Sequence, residues 1–152
     1  MQTLFLLAQF FAISLSQGQS PVKWNFQAKK IDKQTFEVHL KASIENDWHI
    51  YAQKQPEGAI SQPTTISFTP NPLVQLAGPI KEVGKLEKKE YELLGITQNE
   101  YNNTVDFVQT IKLKNDIKTN VKGSVSFMAC KDGMCLPTET ITFSIDLNSS
   151  IN

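Results

Sequence analysis

The sequence has no surplus of charge of either sign: lysine plus arginine and aspartate plus glutamate number fifteen each in 152 residues. A nucleic-acid-binding domain needs a basic face, and this balance offers none. There is no phosphate-cradling glycine loop, no pair of catalytic carboxylates and no Ser/His/Asp grouping, so hydrolase and nucleotide-binding readings have no support. Histidine is scarce. His39 and His49 are the only two, and neither stands at finger-like spacing from a cysteine, so zinc is the weakest reading and no metal or other cofactor is expected. Internal repeats and low-complexity linkers are also missing. One domain is enough for a chain of this length, which can bury a proper core and is expected to be a monomer. Long helical periodicity is missing too; Glu82–Leu94 comes nearest to a helix, and its spacing is poor.

Apolar runs are rare after the first residues. Leu4–Leu15 (LFLLAQFFAISL) is twelve residues long, too short to span a bilayer as a helix. Small and polar residues, Ser14, Ser16, Gly18 and Ser20, close and follow it. These features describe a secretory signal peptide over residues 1–18, cut near Ser16 or Gly18, although its Met-Gln-Thr start lacks lysine and arginine. No cysteine lies near the cut, so a lipid anchor is not expected, and no later stretch is apolar enough to cross a membrane. The mature chain is expected to be soluble and exported. Export changes the meaning of two cysteines, because an even count in an oxidising compartment forms a bond.

Residues 20–149 read as a single β domain. From Phe36 to Ile44 apolar residues alternate with Glu37, His39, Lys41 and Ser43, the period of a half-buried strand. Shorter runs recur at Val22–Ala28, Thr64–Phe68, Val105–Leu113, Val121–Ala129 and Thr140–Leu147. Polar or turn-rich stretches separate them, including Glu45–Asp47, Gln55–Pro63, Pro70–Pro72, Asn99–Asn103 and Lys114–Asn120. Many short strands with little helix predict an all-β fold, a two-sheet antiparallel β-sandwich.

The two cysteines sit in Gly-Ser-Val-Ser-Phe-Met-Ala-Cys130-Lys-Asp-Gly-Met-Cys135-Leu-Pro-Thr-Glu. A strand runs into Cys130, Asp132-Gly133 supplies a turn, and Pro137 precedes the next strand. The thiols therefore stand on the shoulders of one hairpin, where their Cα atoms can approach the roughly 4.4–6.8 Å a disulfide requires. A ring this small constrains the unfolded chain less than a long one, so a structural staple would sit better between distant strands. A loop position suits thiol exchange. Three readings stand on these residues: a redox-active pair, a structural hairpin disulfide and, last, a metal site.

The run GSVSFMACKDGMCLPTETITFSIDL resembles the terminal hairpin of the N-terminal periplasmic domain of the thiol:disulfide interchange protein DsbD. That family has a cysteine pair, a short glycine-containing loop and a Cys-x-Pro element in this order. Upstream, NDWHIYAQKQPEGAISQPTTISF is similar to the family's aromatic strand, and KKEYELLG followed by VDFVQTIKL resembles its cap loop and next strand. The likeness covers most of Trp24–Leu147. It implies an immunoglobulin-like β-sandwich and a possible thiol:disulfide oxidoreductase of the protein-disulfide reductase type. Electrons would pass through Cys130–Cys135 from a membrane thiol reductase or thioredoxin-like donor to periplasmic disulfide isomerases or cytochrome c maturation proteins. Cys135 would attack and Cys130 resolve. Tyr91, Glu92, Leu93, Leu94 and Gly95 would form the cap loop, with leucines where the family often has aromatics. Trp48 and Tyr51 match an aromatic stretch near the family's active site, while His49 reads as an ordinary strand histidine. Among nearby charges, Lys131 would favour a thiolate and Asp132 would oppose it. Transmembrane and thioredoxin-like segments are absent from the 152 residues, so a freestanding periplasmic carrier with separate partners is expected; the other class is a noncatalytic protein-binding sandwich with a structural disulfide.

Overall fold

Alternation along the chain produces strands with one apolar face, and two sheets bury those faces against each other. The computed structural model describes residues 19–147; the expected signal peptide, residues 1–18, lies outside them. The elements are β1 (Val22–Lys30), β2 (Thr35–Ile44), β3 (His49–Tyr51), β4 (Thr65–Phe68), β5 (Val74–Tyr91), β6 (Ile96–Leu113), β7 (Thr119–Phe127), β8 (Ala129–Lys131), β9 (Met134–Cys135) and β10 (Glu139–Leu147). A 3-10 turn, Glu92–Leu94, joins β5 to β6. The larger sheet runs β1-β2-β6-β3-β8-β9, with β5 on the other edge of β6, and the smaller runs β10-β7-β4. Every pairing is antiparallel. This is the immunoglobulin-like sandwich expected from the sequence.

The core is the inner row of each strand. Phe36, Val38, Leu40, Ala42 and Ile44 of β2 meet Val105, Phe107, Ile111 and Leu113 of β6, with Val121 and Phe127 of β7 and Phe143, Ile145 and Leu147 of β10. Aromatic rings bridge the sheets: the Trp24 centroid lies 5.3 Å from Phe127 and 5.9 Å from Phe107, and Phe26 lies 5.3 Å from Phe143. Such ring pairs add about 0.5–1.5 kcal/mol each beyond the area they bury.

Three segments differ from the sequence expectation. Glu82–Leu94 is not helical: most of it belongs to β5, an 18-residue edge strand closed by the 3-10 turn. Its two register shifts, at Ala77/Lys81 and Gly84/Leu86, break the period of two that would have marked a strand. Asn99–Asn103 is not a connection but the interior of β6, where it pairs with both β3 and β5. The run expected as one strand over Val121–Ala129 is divided at Met128, where the chain leaves the small sheet as β7 and enters the large one as β8. That crossing carries the cysteine hairpin to the end of the large sheet.

Among the described glycines, Gly123 has the tightest surroundings. A Cβ there would fall 2.5 Å from Cζ of Phe143, and would also overlap the Ser67 carbonyl oxygen. Gly123→Ala should therefore destabilise the fold by about 1–3 kcal/mol through overpacking, read as a lowered urea midpoint at unchanged m-value.

Candidate functional site

The hairpin geometry follows from its turn. Asp132 and Gly133 both have positive φ, 50° and 77°, as a two-residue primed turn requires. Lys131 pairs with Met134 next to the turn, and Cys130 pairs with Cys135 one step further, with Cα atoms 4.1 Å apart and the disulfide formed. The Leu136 amide donates to the Ala129 carbonyl at 2.9 Å, so Cys130 and Cys135 occupy the non-hydrogen-bonded position between two hydrogen-bonded ones. Side chains approach most closely at that position. The two sulfurs differ in environment. Cys130 is 1% exposed, whereas Cys135, on the terminal strand, is exposed.

Register extends the site across the sheet. His49 lies opposite Cys130, and Tyr51 opposite Glu100. Directly opposed residues share a face, so Cys135, Cys130, His49, Tyr51 and Glu100 form one row, while Ala129, Ile50 and Tyr101 point into the core. His49 Nε2 lies 3.2 Å from the Tyr51 hydroxyl and 3.6 Å from Glu100 Oε1. The same Glu100 oxygen accepts a hydrogen bond from the Tyr91 hydroxyl. Burial, with Glu100 adding to it, holds the Tyr91 phenol well above its ordinary range, so it remains a donor. Burial pushes the His49 imidazole below its ordinary pKa, opposed by Glu100 and reinforced by Lys89. Burial likewise raises the Tyr51 phenol. A cleft of about 690 Å³ opens here, bounded by Trp48, His49, Tyr91 and Glu100 and, on the hairpin side, by Asp132 and Gly133.

The expected site residues are thus only partly brought together. Trp48 and Tyr91 line the cleft with the turn of the cysteine hairpin at its rim, and Tyr51 meets it through His49. Glu92, Leu93, Leu94 and Gly95 form the tip of the β5–β6 arm, where Leu93 is 102% and Leu94 61% exposed, so neither leucine is packed over the disulfide. Lys131 is engaged by Asp47 at 3.3 Å, and Glu139 accepts from the Ser20 hydroxyl at 2.8 Å. His39 lies on β2 with Nδ1 2.8 Å from Asp106. Sequence reasoning missed Glu100. Its signal was a buried-strand register that the polar run Asn99–Asn103 concealed.

Two measurements follow from this environment. After reduction, a limiting dose of an alkylating agent should modify Cys135 well before Cys130, as peptide mapping would read; equal labelling would contradict the burial difference. His49 has its pKa lowered by folding, so the unfolded chain binds the extra proton. Its contribution to stability is then complete above the ordinary imidazole pKa of 6.5 and is lost as pH falls below it. His49→Gln should flatten that part of the stability–pH curve in urea titrations.

The family profile described as "Thiol:disulfide interchange protein DsbD, N-terminal" matches residues 17–147. No curated protein sequence matches the chain. Among solved structures, the reduced DsbD N-terminal domain of Neisseria meningitidis aligns with a TM-score of 0.51 at 18% identity, covering 78% of this chain and 82% of that one. The N-terminal periplasmic domain of ScsB from Proteus mirabilis aligns at 0.51 and 16% identity, covering 83% of this chain and 44% of the other. A complex of the DsbD and PilB N-terminal domains from Neisseria meningitidis aligns at 0.48 and 16%, covering 81% and 80%. Among the described residues no helix is long and apolar enough to cross a membrane. With its cysteine pair at disulfide distance on this sandwich and the profile spanning nearly all of it, the chain belongs to the DsbD N-terminal family of thiol:disulfide interchange domains.

Proposed function

We propose that the protein is a periplasmic thiol:disulfide exchange protein that passes two electrons through the Cys130–Cys135 disulfide. The observation that carries this reading is the unequal burial of the two cysteines, 1% exposure for Cys130 against an exposed Cys135. An incoming thiolate reaches a sulfur only along its S–S axis from solvent, and that access exists at Cys135. A donor thiolate attacks Cys135 Sγ, the intramolecular bond breaks, and Cys130 leaves with the electron pair. The donor's second thiolate then attacks its own half of the mixed disulfide and releases Cys135. In the forward reaction Cys135 attacks an acceptor disulfide, and Cys130 attacks Cys135 Sγ to expel the reduced acceptor. Two electrons and two protons move, and no cofactor is required.

The edge position supports the same assignment. At a non-hydrogen-bonded pair the main-chain N–H and C=O of Cys135 turn away from β8, toward the outer edge of the sheet. An extended segment of a partner can pair there with its own cysteine aligned on Cys135. The donor in this reading is a membrane thiol reductase or a thioredoxin-like protein. The acceptor is a periplasmic disulfide isomerase or a cytochrome c maturation protein. Tyr91–Gly95, at the tip of the β5–β6 arm, is the segment available to cover the disulfide between encounters.

Cys130→Ser should trap mixed disulfides between Cys135 and partners in native extracts, and Cys135→Ser should trap none. The wild-type pair should have a reduction potential within or above about −270 to −180 mV, the range of exchange proteins. A value below about −300 mV together with an empty trap would mark a structural bond in a noncatalytic binding module.

A further inference from the structure

Opening the disulfide creates a chemical demand at Cys130 that Cys135 does not share. Cys135 is exposed and can trade its proton with water. Cys130 is 1% exposed, and a thiolate formed there loses most of its hydration, which disfavours the charged form. In the forward direction Cys130 must lose a proton before it can attack, because the thiolate is the nucleophile. In the reverse direction it is expelled as a thiolate and must gain one. A buried resolving cysteine therefore needs a proton partner inside the protein.

The sheet register places one beside it. His49 is the residue directly opposite Cys130 on β3, and opposed residues hold their Cβ atoms about 4.5–5.5 Å apart on one face. The His49 side chain is 13% exposed and the Glu100 side chain 4%, with Nε2 3.6 Å from Oε1. Tyr91 donates to that same oxygen, which fixes the carboxyl group, and the Tyr51 hydroxyl holds the imidazole from its own strand. The polar cleft on the far side connects this row to solvent.

We propose that His49, oriented by Glu100, is the proton-transfer partner of Cys130. This rests on the exchange reading above. In the forward step the imidazole takes the Cys130 thiol proton as the Cys130–Cys135 bond forms. The bond between Cys135 and the acceptor sulfur breaks at the same time, and that sulfur leaves with the electron pair. The imidazolium then passes its proton to water in the cleft. In the reverse step His49 draws a proton from the cleft and returns it to the expelled Cys130. Electrons come only from the dithiol and go only to the acceptor disulfide.

The surrounding charges suit this cycle. Glu100 favours the imidazolium, while burial and Lys89 oppose it, so the resting imidazole is a neutral base. The other ionisable groups lining the cleft are Glu87 and Tyr91 from β5, Asp47 from the turn before β3 and Asp132 from the hairpin turn, while Tyr51 of β3 contacts His49 directly. Lys131, the cation next to Cys130 in sequence, lies opposite Met134 on the other face of the hairpin and is paired with Asp47. Glu100 is a positioning residue here, acting through His49.

The test uses the reduced full chain and an aromatic disulfide reagent (Ellman's reagent) as acceptor. Attack by exposed Cys135 releases one coloured thiolate, and resolution by Cys130 releases the second. In His49→Gln the first release should keep its wild-type rate, which also reports an intact fold. The second should slow by about 10²-fold near neutrality, the lower end of general-base effects. Its pH profile should lose the imidazole limb and simply follow thiol ionisation. Glu100→Gln removes the group that raises the His49 pKa, so the midpoint of the second release should move to lower pH. An unchanged second release in His49→Gln, or an unmoved midpoint in Glu100→Gln, would overturn the assignment. If His49→Gln loses both releases by misfolding, the Glu100→Gln midpoint alone decides. Absence of a second release from the wild-type protein would instead remove the exchange reading itself.

Discussion

The pairing of His49 with Cys130, and of Tyr51 with Glu100, decides which side chains can meet at this end of the sheet. Parity does the sorting. In β3, β6 and β8 the residues Ile50, Tyr101 and Ala129 face the core, and their immediate neighbours His49, Tyr51, Glu100 and Cys130 face outward as one row. A slip of one residue would send a carboxyl group and an imidazole into the aromatic core and turn the apolar set toward water. The same apolar contacts that hold the sandwich together therefore fix the register of the polar row. Core and site are two faces of one constraint.

Burial of Cys130 follows from the route of the chain. Leaving the small sheet at Met128 and joining the large one beside β3 gives Cys130 a strand on each side, while Cys135 has one on a single side. The turn at Asp132-Gly133 then sets the two sulfurs within bonding reach without help from distant parts of the fold. Because the ring is so short, the bond contributes little by restricting the unfolded chain. The hairpin is already held by Leu136 against Ala129 and by β3, so it can keep its shape whether or not the sulfurs are joined.

Much of this was legible in the sequence. The alternation at Phe36–Ile44 and Ile141–Ile145 became β2 and β10, and the Asp-Gly turn between the cysteines became a hairpin with both sulfurs on one face. What was not legible has physical causes. Register shifts in β5 erase the period of two, and its lysines and glutamates imitate a helix surface because an edge strand can be wet on both sides. The asparagines of β6 look like a loop because their partners are the polar arm and the cleft. Glu100 and His49 are 51 positions apart and meet only because β3 lies against β6. Sequence spacing holds no trace of such a meeting. The exposure of Leu93 and Leu94 was equally hidden, since two leucines after a tyrosine read as well as core as they do as an arm tip.

The polar row also argues from energetics. Placing a carboxyl group at 4% side-chain exposure beside an imidazole is not how a sandwich of this size gains stability. Replacing both members of a buried polar pair with apolar residues of the same shape can be nearly neutral or stabilising. The opposite sheet end shows the alternative, with Trp24, Phe26 and Phe143 packed ring against ring. A disulfide that served only to pin a hairpin would gain nothing from a hydrogen-bonded carboxyl group and imidazole across the strand, and an apolar neighbour would shield it better. Local rules for stability are broken where chemistry needs them broken. Here the departure is confined to the face that carries Cys130 and Cys135, so the cost of the buried polar groups falls beside the chain's one cysteine pair.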